Sequence, residues 1–133
     1  MPGRTDVRNT DFYFYGTGVH GVVAADATTA LDLKITGDRW YCSGGAMHVF
    51  APACGDYLAL QLVDKDNILG YGANFVVRTF LENWYIPKNG QDMLDIPYGG
   101  LLPKDLYLRL LYTNTTSFET MVAVNYFFHV ERQ

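Results

Sequence analysis

Apolar residues recur at every second position in several separate stretches of this chain, and that period admits little besides β-strands. Leu31, Leu33 and Ile35 alternate with Asp32, Lys34 and Thr36. Leu58, Leu60 and Leu62 form a second stripe, and Leu106, Leu108 and Leu110 a third, opposed by Tyr107 and Arg109. The longest joins Val122, Val124, Tyr126, Phe128 and Val130, opposed by Met121, Ala123, Asn125, Phe127, His129 and Glu131. Successive side chains of a strand point to opposite faces, so each stripe predicts a strand with one face on a core. The opposed face of the longest is poorly polar, whereas a sheet with one wet face alternates more cleanly. Either a loop or another subunit covers it, or it is an exposed face that tolerates aromatics.

Further strands are expected at residues 11–15, 47–50 and 75–86. The last places Phe80 and Trp84 four apart, which also permits a short helix, but its Val, Thr, Phe, Trp and Tyr content favours a strand. Breaks are expected at Gly16, Thr17 and Gly18, at Thr36, Gly37 and Asp38, and at Ser43, Gly44 and Gly45. Others fall at residues 52–55, at the Asn89 and Gly90 pair, and at the polar residues 113–117. Residues 86–105 hold Pro87, Pro97 and Pro103 and read as a long crossover loop with one short edge strand at 93–96. Short strands with frequent turns, and no helix-period segment long enough for βαβ units, predict an all-β fold. The expected form is an antiparallel β-sandwich, jelly-roll-like.

A chain of 133 residues fits one domain and supports an ordinary core. Residues 19–133 read as a single β-sandwich domain, and 1–18 as either an N-terminal arm or its first strand. At 49% hydrophobic and 18% charged the chain is not disordered. A formal net charge of -4, with Lys and Arg scattered, argues against a nucleic-acid partner. No apolar run reaches membrane-spanning length, so no membrane partner is expected. Arg4, Asp6, Arg8 and Asp11 interrupt any signal-peptide core, which predicts synthesis in a cytoplasm without export by that route. Cys42 and Cys54 match no common zinc spacing; they are either one bridge or two partly buried free thiols.

The stretch around Asp64, Asp66 and Asn67 looks most like a site. Three oxygen donors fall short of a calcium shell, and the EF-hand positions that need Gly and Glu hold Leu69 and Phe75. Asp and Asn favour turns by bonding their own backbone, so a turn between strands is expected, with Gly70 and Gly72 marking a bulge or a close backbone approach. Catalytic residues, metal ligands and cofactors are not expected. Ser43 and Ser117 lie in no nucleophile elbow, and no sequence spacing pairs Cys42 with a His base. His48 and His129 lie within expected strands and His20 in a Gly-flanked loop, with no metal spacing among them. Residues 16–21 match G-x-G-x-x-G literally, but a strand rather than a βαβ unit follows. Tyr71, Trp84, Tyr85 and Tyr98 sit near expected strand ends or loops and are the candidate partner-contact residues; aromatics there offer rigid area to a protein or a glycan.

The segments GDYLALQLVDKDNILGYGAN, ENWYIP, IPYGG, LPKDLYLRLLYTNT and VAVNYFFH resemble a group of small tailed-phage and prophage proteins encoded among virion structural genes. The resemblance spans roughly residues 28 to 131. It implies a non-enzymatic virion component, in capsid decoration, neck or tail, built as a homo-oligomer that also contacts other virion proteins. Synthesis would be in the host bacterial cytoplasm and the destination the virion. The alternative is a carbohydrate-binding or receptor-binding β-sandwich, with a glycan as partner.

Overall fold

The computed structural model describes residues 12–50, 55–87, 90–95 and 101–131. Its strands are β1 (Phe12–Val23), β2 (Thr28–Lys34), β3 (Trp40–Val49), β4 (Tyr57–Asp64), β5 (Phe75–Tyr85), β6 (Gln91–Asp95), β7 (Leu101–Leu102), β8 (Tyr107–Thr113) and β9 (Thr120–Glu131). One sheet runs β1-β9-β3-β6, with β7 also paired to β3, and the other runs β2-β8-β4-β5. Every pairing is antiparallel. β6 meets β3 at Gly44 to His48 and β7 meets it at Trp40 and Tyr41, so the two act as one interrupted strand along a single edge. Counted so, successive strands change sheet at every step except β4 to β5. That is the double Greek key of a jelly roll, the expected fold class.

The alternating stripes meet between the sheets. Leu31 and Ile35, Leu58, Leu60 and Leu62, Leu106, Leu108 and Leu110, and Val122, Val124, Tyr126, Phe128 and Val130 are all buried in one cluster. Leu33 packs on its margin. Each sheet turns one apolar face inward, because removing that face from water is the main favourable term available to it. The Tyr126 hydroxyl is buried there without a hydrogen-bond partner among the described residues. An unpaired buried hydroxyl forfeits its hydration, so Tyr126→Phe is expected to raise stability by about 1 kcal/mol in urea unfolding. A loss of stability would show that the hydroxyl is satisfied.

Several expected breaks lie inside strands instead. Gly16, Thr17 and Gly18 belong to β1, which also carries His20, expected in a loop. Ser43, Gly44 and Gly45 belong to β3, which therefore begins at Trp40 rather than at 47. Gly18 and Gly45 serve close approach, not reversal. A Cβ on Gly18 would sit 2.6 Å from the Val124 carbonyl oxygen, and one on Gly45 2.8 Å from that of Asn125. Gly44 has φ 142° at the register shift where β3 bulges against β9, a conformation suited to glycine. The edge strand expected at 93–96 is β6, Gln91–Asp95. Residues 75–85 form a strand, not a helix.

Candidate functional site

β4 and β5 make the hairpin of the second sheet, and its loop is the acidic stretch. Asp64, the last residue of β4, is fully buried. Its carboxylate accepts the Ile68 amide at 2.9 Å on Oδ1 and the Leu69 amide at 2.9 Å on Oδ2. Asn67 adopts φ 59°, and its Oδ1 accepts the Gly72 amide at 2.8 Å. The Tyr107 hydroxyl donates to Asp66 at 3.0 Å. Each oxygen-bearing side chain thus serves a donor of the protein, which is turn chemistry. Among the described residues no group of three or more His, Cys, Asp or Glu is arranged for a metal ion. Added calcium, or EDTA, is therefore expected to leave the melting temperature unchanged; a calcium-dependent rise of several degrees would restore the loop as a cation site.

Polar contacts then fasten this loop to the outer face of β2 and β8. Arg109 grips Asp32 through Nε at 2.8 Å and Nη2 at 3.0 Å, and Nη2 also donates to Asn74 Oδ1 at 3.0 Å. Lys65 adds an ion pair to Asp32 at 3.3 Å. Burial works against ionisation of Asp32, but the hydrogen bonds and charges of Arg109 and Lys65 outweigh it and hold its carboxyl below the usual range.

The fastened loop presents apolar side chains to solvent. Ile68, Leu69 and Tyr71 are exposed, Tyr71 to 74%. Phe75, Val76 and Val77 continue the patch along β5, and the Tyr71 and Phe75 rings lie 5.0 Å apart. At the far end of β5, Tyr85 is exposed to 67% and stands edge-on to Tyr57 at 6.1 Å. Of the four candidate contact aromatics, Tyr71 and Tyr85 thus border this strand at opposite ends. Trp84 is half-buried and packs against the core. Tyr98 lies outside the described residues. Ile68, Leu69 and residues 75–77 were not singled out from the sequence. The available signal was the stretch 67–77, which holds no charged residue.

The outer face of the first sheet carries a trough of about 810 Å³. Gly18, Ala46 and Ala123 form part of its lining, with His20, His48, Gln91, Asp92, Met93 and Asn125 around them. His20 and His48 are both in register with Ala123, one on each side of β9. The Gln91 amide donates to His48 Nδ1 at 2.9 Å. The poorly polar face of β9 forms part of this surface, with Met121 exposed beside Val22. Cys42 faces the core as a free thiol, and burial pushes it up to about 11. It stays protonated at neutral pH, unsuited to nucleophilic attack. Cys54 lies outside the described residues.

No protein-family model and no curated protein matches the chain. The fold is similar to that in a crystal structure of the infectious bursal disease virus VP2 subviral particle. The TM-score is 0.54 at 9% identity, over 90% of this chain and 33% of that one. The chain thus spans about a third of the length of the VP2 chain it matches. At this identity the likeness is one of fold, and it agrees with the jelly-roll order read from the strand pairing.

Proposed function

We propose that this protein is a non-enzymatic structural module of a viral particle, working through protein–protein contacts in a symmetric assembly. The observation that carries this is a jelly roll, an architecture that capsids use, holding an apolar patch rigidly out to solvent. The likeness in fold to VP2 in a subviral particle supports it. The finer assignment, to a tailed-phage decoration, neck or tail component, rests on the sequence resemblance. On that reading the chain is made in the host bacterial cytoplasm and joins copies of itself and other virion proteins. Residues 19–133 are then the sandwich, and of the segment 1–18, read as an arm or a first strand, residues 12–18 belong to β1. Net charge disfavours nucleic acid as a partner.

Light scattering with negative-stain microscopy on the full chain tests this. A discrete oligomer or closed particle is the expected result, and a chain that stays monomeric at high concentration overturns it.

The trough favours a second reading, glycan or receptor binding, because His20, His48, Gln91, Asp92 and Asn125 offer hydrogen bonds around a concave surface. Its described lining contains no Phe, Tyr or Trp on which a sugar ring could stack. A glycan array with specific hits that are lost in His48→Ala would move the assignment to this reading.

A further inference from the structure

Among the described residues β5 ends its sheet, with β4 on one side and no strand on the other. Almost the whole strand is open to solvent: only Phe80, Leu81 and Trp84 are half-buried. Edge strands of soluble proteins are commonly blunted with lysine or proline. β5 contains neither, and three of its apolar residues, Phe75, Val76 and Val77, stand exposed in a row.

The strand is also self-complementary about its midpoint. Phe80 is the central residue of Phe75–Tyr85. Its charged residues are Arg78 and Glu82, placed symmetrically two positions before and two after Phe80. Neither has an ion-pair partner among the described residues; Arg78 only leans over the Phe80 ring at 5.8 Å. Each end carries an aromatic pair, exposed Tyr71 with exposed Phe75 at the start and half-buried Tyr57 with exposed Tyr85 at the finish.

We propose that β5 is the contact strand of an isologous dimer, lying antiparallel to β5 of a second copy about a two-fold axis that passes Phe80. This rests on the assembly reading above and names its interface. A two-fold there sets Arg78 against Glu82 of the second copy, and Glu82 against Arg78 of the second copy. It also brings the Tyr71 and Phe75 rings to the Tyr57 and Tyr85 rings of the second copy at both ends. Isologous contacts require this kind of self-matching, in which residue i meets j and j meets i. A partner of other chemistry would not need charges placed symmetrically about one residue.

The contact is made by side chains rather than by an extended ladder. β5 shifts register against β4 between Leu58 and Leu60, between Leu60 and Gln61, and between Leu62 and Val63. Asn83 adds a left-handed φ of 50°. Such irregularities spoil continuous edge-to-edge pairing, which would otherwise run on into fibres. What remains is a finite patch of aromatic, aliphatic and paired charged groups, the composition of a specific interface.

Sedimentation equilibrium on the full chain, with Arg78→Glu, Glu82→Arg and the double variant, decides it. All four proteins should share one far-UV spectrum, because both side chains are exposed. The wild type is expected to dimerise from its 15.0 kDa monomer. Each single reversal places like charges across the axis twice, and is expected to weaken the dimer at least tenfold. The double reversal is expected to recover most of the loss, since it restores opposite charges. A wild type that assembles but ignores both single reversals overturns the β5 interface and leaves the assembly reading standing. A monomeric wild type overturns both. A wild type that stays monomeric but co-floats with neutral lipid vesicles would assign the patch to a membrane surface instead.

Discussion

Replacing Asp56 with alanine is expected to cost the fold about 3 kcal/mol, seen as a shifted midpoint in urea unfolding. Asp56 precedes β4 and is fully buried. Its Oδ2 accepts the Tyr112 hydroxyl at 2.8 Å, while Oδ1 accepts the Thr115 amide at 2.8 Å and the Thr115 hydroxyl at 2.7 Å. One carboxylate thus gathers the start of β4, the end of β8 and the loop beyond β8. Truncation strands these donors, and a buried donor without a partner loses more than its bond was worth, because it has already given up water. Tyr112 suffers most, being fully buried itself. Burial and the bond to Asp56 both push its hydroxyl well above the ordinary tyrosine range, so it stays a neutral donor. Asp56→Asn keeps an acceptor and should cost less than Asp56→Ala. A loss below about 1 kcal/mol in Asp56→Ala would mean that water replaces the carboxylate, and that the site is wetter than its burial implies.

Phe128→Ala is expected to cost more, about 4 kcal/mol. Phe128 is fully buried in β9 and lies at the centre of an aromatic cluster. Its ring is 5.0 Å from Trp40, 6.4 Å from Tyr15 and 6.4 Å from Tyr126. Alanine removes the transfer energy of the ring and leaves a cavity whose walls cannot close, because they belong to strands held by backbone bonds. The neighbouring Phe127→Ala is the control. Its side chain points to the opposite face and is half-buried, so its truncation should cost less than half as much. Guanidinium unfolding of both variants, with the slope unchanged, checks the prediction. Equal losses at 127 and 128 would contradict the assigned register of β9.

That register was legible in the chain itself. Val122, Val124, Tyr126, Phe128 and Val130 alternate without a break, and all are buried. A slip of one residue would turn the whole stripe to solvent. The glycines at 18 and 45 show the opposite case. A glycine that reverses the chain and one that lets another strand come near look alike in sequence. Only the carbonyls of Val124 and Asn125, more than seventy positions away along the chain, reveal the second role. The loop at Asp64 was readable as a turn because its chemistry is local: Asp64 bonds residues four and five ahead, and Asn67 bonds Gly72. Its anchoring by Arg109 and Asp32 was not readable, since those residues belong to strands paired only through the fold.

By itself, the sequence determined what depends on neighbours within a few residues. The period-two stripes specified strands and which face of each turns inward, and Asp and Asn placed the turn, because strand pleat and turn geometry are short-range properties. Tertiary structure decided what depends on distant partners. It set the order of strands in two sheets and buried Asp56 against Tyr112. Among the described residues it also left β5 without a neighbour on one edge. The Phe75, Val76 and Val77 run is as apolar as many core strands, so composition could not show that it faces water. Whether such a strand becomes core or contact surface is settled by which other strands arrive beside it, and among the described residues β4 alone does.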